Sequence, residues 1–62
     1  MDKIILEYLK ASLDEQSPVT VYFDSNQLHG VVSAFYGAVV ELRQEQRRTV
    51  VLTERITAVT RE

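Results

Sequence analysis

The sequence of 62 residues contains no cysteine and only one histidine, His29. These absences exclude disulfide bonds and leave too few ligands for a structural metal site, so we expect neither a metal nor a cofactor. A chain of this length buries only about 60% of the surface that it exposes when unfolded, which leaves a thin stability margin. Since small domains usually add disulfides, a metal or subunit contacts, we expect oligomerisation to supply the missing stability.

The sequence also lacks a long apolar run and an excess of positive charge. No segment approaches the roughly 18 apolar residues of a membrane span, so no membrane partner is expected. Residues 1–13 are too short and too often interrupted by charge for a signal peptide, so we expect a cytoplasmic protein. A net charge of −2 gives no overall attraction for polyanions, and any binding of nucleic acid must come from a local patch.

Basic residues are concentrated at one point in the chain. Arg43, Arg47 and Arg48 form the densest cluster, which Glu41 and Glu45 dilute. The cluster is either a phosphate-binding patch or a solvated loop that discourages aggregation.

Residues suited to catalysis are few. A single histidine without cysteine gives no nucleophile beside a base and no paired metal ligands, and the chain has no glycine-rich phosphate loop. The acidic pairs at 14 and 15 and at 41 and 45 fall in expected solvent-facing breaks or edges. We therefore expect a binding or assembly module rather than an enzyme.

The first part of the chain has the apolar spacing of an amphipathic helix. Asp2 can cap its N-terminus, and a polar break ending in Pro18 must stop it, because a proline ring does not continue a helix. We predict a helix over residues 2–13.

Short strands are predicted for the remainder, which alternates apolar and polar side chains. They run from residue 19 to a turn at 24–26, then over 27–35, 38–42, 48–53 and 56–60, with a polar loop at 43–47 and a tight corner at 54 and 55. Gly30 lies inside the second strand, which indicates a sharp bend or the close approach of another backbone.

Five short strands over residues 18–60 are too few for a sandwich with two full faces. The sequence therefore predicts one domain, 1–62, of mainly β class with an N-terminal α-helix, in which a strongly bent sheet closes into a small barrel. SH3-like, OB-like and Sm-like barrels all fit this pattern, and the pattern alone does not separate them.

Residues 18–59 resemble the Sm-like proteins, and among them the bacterial Hfq RNA chaperones. The first Sm motif is matched by Pro18, Val19, Val21, Tyr22, Leu28, Gly30, Phe35 and Val39, and the second by the apolar skeleton of 50–59. The resemblance implies an Sm-like five-stranded barrel and a homo-oligomeric ring of six or seven subunits joined through the edges of the fourth and fifth strands. The expected interface residues are Val50, Val51, Leu52, Ile56 and Val59.

The chain departs from this family at the uridine-binding pore. Hfq proteins have a Gln-Phe pair and a Lys-His pair there, whereas the matching pore-lining positions are Gly37 and Ala38, then Thr53 and Glu54. These residues supply neither stacking nor positive charge, so uridine-rich RNA is expected to bind weakly or not at all. Arg55 either restores some positive charge there or, on the simpler interpretation, neutralises its neighbour Glu54. The basic rim that the family has at the helix end is missing too.

The opposite face of the ring is the remaining candidate surface. Tyr22 matches the tyrosine on which Hfq stacks purines, and Gln27 and His29 fall near polar positions of that face. The resemblance therefore implies adenine-rich single-stranded RNA as ligand, with the arginine cluster (Arg43, Arg47 and Arg48) as added phosphate contacts. Alternatively, Tyr22 packs across the sheet and His29 is an ordinary strand residue. The protein would then be an assembly or protein-interaction module that keeps the fold without binding RNA.

Overall fold

One helix is followed by five antiparallel strands in the computed structural model, which describes residues 2–62. The elements are α1 (Lys3–Glu15), β1 (Val19–Phe23), β2 (Asn26–Tyr36), β3 (Val39–Gln44), β4 (Arg47–Leu52), a short 3-10 helix (Thr53–Arg55) and β5 (Ile56–Arg61). The sheet order is β4-β3-β2-β1-β5, so β4 and β5 are its two edges. The predicted mainly β fold with one N-terminal helix is confirmed.

Both ends of helix α1 are capped by hydrogen bonds to backbone groups that lack a partner within the helix. The Asp2 carboxylate accepts hydrogen bonds from the backbone N–H of Ile4, at 2.8 Å, and of Ile5, at 3.3 Å. The predicted end at residue 13 is two residues too early, because the helix stops at Gln16, whose φ of 56° is left-handed. Pro18 restricts only its immediate neighbour. No helix within residues 2–62 is long and apolar enough to cross a membrane.

The hairpin of β3 and β4 is longer than predicted. Its ladder continues through the pairs Arg43↔Arg48 and Gln44↔Arg47, so the predicted polar loop at 43–47 is wrong. Only residues 45 and 46 form the turn. Ladder hydrogen bonds join backbone groups, and polar side chains at an exposed hairpin end therefore do not mark where pairing stops. Arg43, Arg47 and Arg48 are therefore strand residues, and the strand determines the side of the sheet to which each side chain points.

Strand β2 passes from one half of the sheet to the other at Gly30. Residues 26–30 pair with β1, whereas 31–36 pair with β3. A Cβ at Gly30 would lie 2.8 Å from the carbonyl oxygen of Arg43, closer than a Cβ atom approaches backbone. The glycine is therefore needed for the close approach of β3, as the sequence predicted.

The core lies between α1 and the inner side of the bent sheet. Its fully or nearly fully buried apolar residues are Leu9, Val19, Val21, Val32, Val40, Leu42, Val51 and Ile56. Two of the five predicted interface residues, Val51 and Ile56, are thus part of the subunit's own core, and Val59 packs against it. Val50 and Leu52 point outward instead and are 54% and 41% exposed. Successive strand residues face opposite sides, which the apolar run 50–52 conceals.

A buried serine joins the helix to the bend of β2. The Ser12 hydroxyl donates a hydrogen bond to the Ser17 carbonyl, at 2.6 Å, and accepts one from the Val32 N–H, at 3.0 Å. If the β1–β2 register continued past Val19↔Gly30, Ser17 would stand opposite Val32. The hydroxyl therefore bridges the two strands where their ladder opens, a role that the sequence did not reveal.

Replacing Gly30 with valine is expected to lower the free energy of unfolding by at least about 1 kcal/mol, because the new side chain overlaps the β3 backbone. Ala58→Val, which adds the same branched side chain at an exposed strand position, should change it little. Urea denaturation of both variants measures the difference. A Gly30→Val protein as stable as the parent would contradict the close approach.

Ser12→Ala is expected to lower the free energy of unfolding by about 1 to 3 kcal/mol, because it leaves the buried Val32 N–H without a partner. Ser17→Ala is the matched control, since the Ser17 hydroxyl is buried and makes no hydrogen bond within residues 2–62. Thermal unfolding and hydrogen exchange of the Val32 amide are the measurements. Equal losses in the two variants would show that the bridge contributes nothing.

Candidate nucleic-acid interface

The outer side of β1, β5 and the first half of β2 carries the residues that the sequence singled out. Tyr22 lies opposite Gln27 on β2 and Ala58 on β5, and Thr20 lies opposite His29 and Thr60. Directly opposed residues of antiparallel strands point to the same side of a sheet. Because the alternate β1 residues are buried, this side faces away from the core. We call it the tyrosine face, defined by Thr20, Tyr22, Gln27, His29, Ala58 and Thr60.

Tyr22 is half-buried at the centre of this face. Its cross-strand partners are a glutamine and an alanine, neither of which is aromatic, so its ring is not engaged in an aromatic pair across the ladder. The backbone carbonyl of Tyr22 accepts a hydrogen bond from the Thr57 hydroxyl at 3.2 Å, which fastens β5 at this point. A half-buried ring on a fixed strand is consistent with packing across the sheet and with stacking on a base.

His29 is exposed and held by two polar neighbours. Its Nδ1 lies 2.9 Å from the Thr20 hydroxyl, and its Nε2 lies 3.5 Å from a carboxylate oxygen of Glu62. The His29 and Glu62 side chains are 53% and 63% exposed, so the pair is weak and a ligand can displace it. Within residues 2–62 no three His, Cys, Asp or Glu side chains are grouped to hold a metal ion.

The three arginines of the cluster meet at the end of the β3–β4 hairpin, where all of them line one open pocket. Arg43 and Arg48 oppose each other in the β3–β4 ladder, and the Arg43 Nη2 donates to the Gln16 side-chain oxygen, at 3.0 Å, by the end of the helix. Arg47 follows the other side of β4, because successive strand residues alternate. It lines a groove that also includes His29. Of the three arginines, only Arg47 also lines the groove that reaches His29 of the tyrosine face.

The two segments matched to the Hfq pore lie side by side. The Ala38 carbonyl accepts hydrogen bonds from the backbone N–H of Thr53, at 2.9 Å, and from its hydroxyl, at 3.0 Å. The turn containing Gly37 and Ala38 therefore lies beside the segment containing Thr53 and Glu54. None of them has an aromatic ring or a positive charge.

The charge of the pore segments is negative. The expected neutralisation of Glu54 by Arg55 is wrong, because the Arg55 guanidinium lies 3.1 Å from the Asp24 carboxylate in the β1–β2 turn. The intervening 3-10 turn directs the two side chains to different neighbours. Glu54 is exposed and makes no ion pair within the described part of the chain.

An exposed apolar patch lies beside edge strand β4. Tyr36, Val39 and Leu52 occupy adjacent positions across β2, β3 and β4, and Val50 follows on the same side. Tyr36 is 60% exposed and Val50 54%. The sequence analysis did not identify Tyr36 as part of a surface. For Val50 and Leu52 a signal was present, because period-two alternation around the buried Val51 assigns both to the outer side. We call these four residues the apolar patch.

No family model matches this chain, and no curated protein matches it. Among solved structures, the chain is similar to a crystal structure of Hfq, described as a pleiotropic translational regulator. The TM-score is 0.82 and the sequence identity 26%, over 97% of this chain and 92% of that chain. The chain has the Sm-like fold of Hfq. The Sm-like fold predicted from the two Sm motifs is confirmed.

The similarity to Hfq covers nearly the whole chain. At the four positions matched to the Hfq pore the side chains of this chain are small or acidic, whereas the tyrosine face has an aromatic ring and two polar strand residues.

Proposed function

We propose that this protein is a single-domain, Sm-like RNA-binding protein of the cytoplasm, which acts as a homo-oligomeric ring and binds adenine-rich single-stranded RNA on the tyrosine face. The proposal rests on one observation: Tyr22, Gln27 and His29 lie on the same side of the sheet. The likeness to Hfq, a translational regulator, supports RNA as the class of ligand. The function proposed is binding, with no catalytic step.

The chemistry of the tyrosine face suits a base. Stacking on an aromatic side chain contributes about 1 to 3 kcal/mol per base. The Gln27 side-chain amide, directly opposite Tyr22, has the donor and acceptor that match the N7 and N6 groups of adenine. A ring repeats this small site in every subunit, and a single strand that reaches several sites gains affinity through effective concentration.

The pore segments argue against uridine-rich ligands. Gly37 and Ala38 offer no ring for stacking, and Glu54, free of its expected arginine partner within residues 2–62, repels phosphate. Repetition of Glu54 around a ring increases that repulsion. The two faces of the proposed ring therefore differ in their attraction for RNA.

Ring formation is supported by two features of the subunit. Strands β4 and β5 are both sheet edges, whose unpaired backbone groups are a template for another chain. The apolar patch adjoins the β4 edge, and large exposed apolar groups there are covered if a second copy pairs with β4. We propose six or seven subunits joined from β4 to β5. Val50 and Leu52 then contribute side chains to the interface, whereas Val51, Ile56 and Val59 contribute through their backbone.

A second candidate function has its own observation. The net charge is −2, and the pore segments carry no cation while the apolar patch remains exposed. These properties favour an assembly or protein-interaction module that keeps the fold without binding RNA. The two functions differ in whether phosphate contacts exist, and such contacts weaken as salt rises.

Val50→Lys is expected to lower the native mass from a six- or seven-subunit ring to small species, because it places a charge in the proposed interface without entering the core. Ser25→Lys, the same charge change in the exposed β1–β2 turn, should leave the mass unchanged. Native mass spectrometry gives both results. A parent protein that is monomeric at micromolar concentration would overturn the ring, as would intact rings for both Val50→Lys and Leu52→Lys.

Labelled oligo-A is expected to bind more tightly than oligo-U at low salt, with a clear loss of affinity at moderate salt. Tyr22→Ala should weaken oligo-A binding by about tenfold or more, since it removes the stacking ring, and Tyr22→Phe should retain most of the affinity. Fluorescence anisotropy measures the affinities of the parent protein for both oligonucleotides and of the two Tyr22 variants for oligo-A. Absence of binding by either oligonucleotide at low salt would favour the assembly module. Preference for oligo-U, unaffected by Tyr22→Ala, would show that the wrong face was chosen.

A further inference from the structure

A groove of about 690 Å³, lined by both polar and apolar groups, runs between the bend of β2 and the turn of the β3–β4 hairpin. Residues 29–31 and Pro18 form one wall, and residues 44–47 form the other. The groove exists because the hairpin passes close to a residue without a side chain, since a Cβ at Gly30 would lie 3.3 Å from the Cγ of Gln44. The same bend that shapes the sheet therefore shapes this groove.

The groove continues the tyrosine face. Gln27 and His29 are two residues apart on β2, a distance of roughly 7 Å along a strand, and His29 belongs to the face and to the groove wall. A nucleic-acid strand whose base stacks on Tyr22 can thus pass His29 and enter the groove without leaving the protein surface.

Arg47 is the cation of the groove. It is exposed, and none of the three ion pairs among residues 2–62 involves it, so its guanidinium is not committed to a carboxylate. A guanidinium binds a phosphate through two parallel hydrogen bonds. Gln44 and Gln46 add uncharged donors and acceptors, while the carboxylate of Glu45 on the same wall opposes an anion.

We propose that this groove is a second subsite for the RNA strand bound on the tyrosine face, in which Arg47 holds a backbone phosphate and Glu45 limits the affinity. The inference rests on the proposed function and extends it to the hairpin turn. It gives Arg47 a role different from that of Arg48, its neighbour in sequence, which does not line this groove and shares with Arg47 only the adjoining pocket at the hairpin end.

The test is equilibrium binding of labelled oligo-A to the intact oligomer over a series of salt concentrations. Arg47→Gln is expected to weaken binding roughly tenfold, as for the removal of a charged hydrogen bond, and Arg47→Lys to restore part of it. The slope of log K against log salt should become shallower by about 0.7 for each phosphate that the variant no longer binds. Glu45→Gln should bind more tightly than the parent.

Arg48→Gln is the matched control, because it removes the same charge one residue away, and it should leave the salt slope unchanged. Native mass and circular dichroism of every variant exclude loss of assembly or fold as the cause. Equal effects of Arg47→Gln and Arg48→Gln would overturn the subsite, since the arginines would then act only through overall charge.

Three further outcomes show whether the groove, the proposed function or both fail. If Tyr22→Ala abolishes binding of oligo-A while Arg47→Gln and Glu45→Gln leave it unchanged, the groove fails and the proposed function stands. If the parent protein binds no oligo-A, both fail. If Arg47→Gln instead abolishes binding of a polyglutamate peptide and leaves oligo-A unaffected, the groove binds acidic protein segments and the RNA subsite is overturned.

Discussion

The contact between the backbone at Gly30 and the carbonyl oxygen of Arg43 is the constraint on which the rest of the structure depends. At this point β2 leaves β1 and joins β3, so the sheet folds over the core. The opening that the bend creates in the β1–β2 ladder is filled by the Ser12 hydroxyl, which fixes α1 against the sheet. The absence of a side chain at residue 30 therefore influences the curvature of the sheet, the position of α1 and the groove beneath the hairpin turn.

Most of the fold was predictable because its signals are local. Alternation of apolar and polar residues revealed the strands, Asp2 marked the start of the helix, and Gly30 marked the bend. The ends of elements were less accessible. The helix continues to Glu15 because Gln16 adopts a left-handed conformation, and the β3–β4 ladder continues through polar residues because its hydrogen bonds join backbone groups. Neither property is encoded in side-chain polarity.

The sequence indicated which residues belong to the candidate site, but it did not indicate how they are arranged in space. Resemblance to Sm-like proteins selected Tyr22 and the four proposed pore positions, because both selections depend on aligned positions. The position of Arg47, the only one of the three arginines that lines the groove beside His29, depends on strand parity at a hairpin end whose polar residues are typical of a loop. The pairing of Arg55 with Asp24 joins residues 31 positions apart, a tertiary interaction with no local signature.

The backbone of the turn at Gly37 restricts which side chains this position accepts. Its φ of 57° lies in the left-handed region, and a Cβ there would meet no atom of residues 2–62 within 4 Å. Space therefore does not forbid a larger residue, but the backbone disfavours one, at a cost of about 1 kcal/mol. A variant with the Gln-Phe pair of the family at residues 37 and 38 would therefore lose stability in this turn. The conformation of one glycine thus opposes the side chains on which a uridine pore of the Hfq kind would depend.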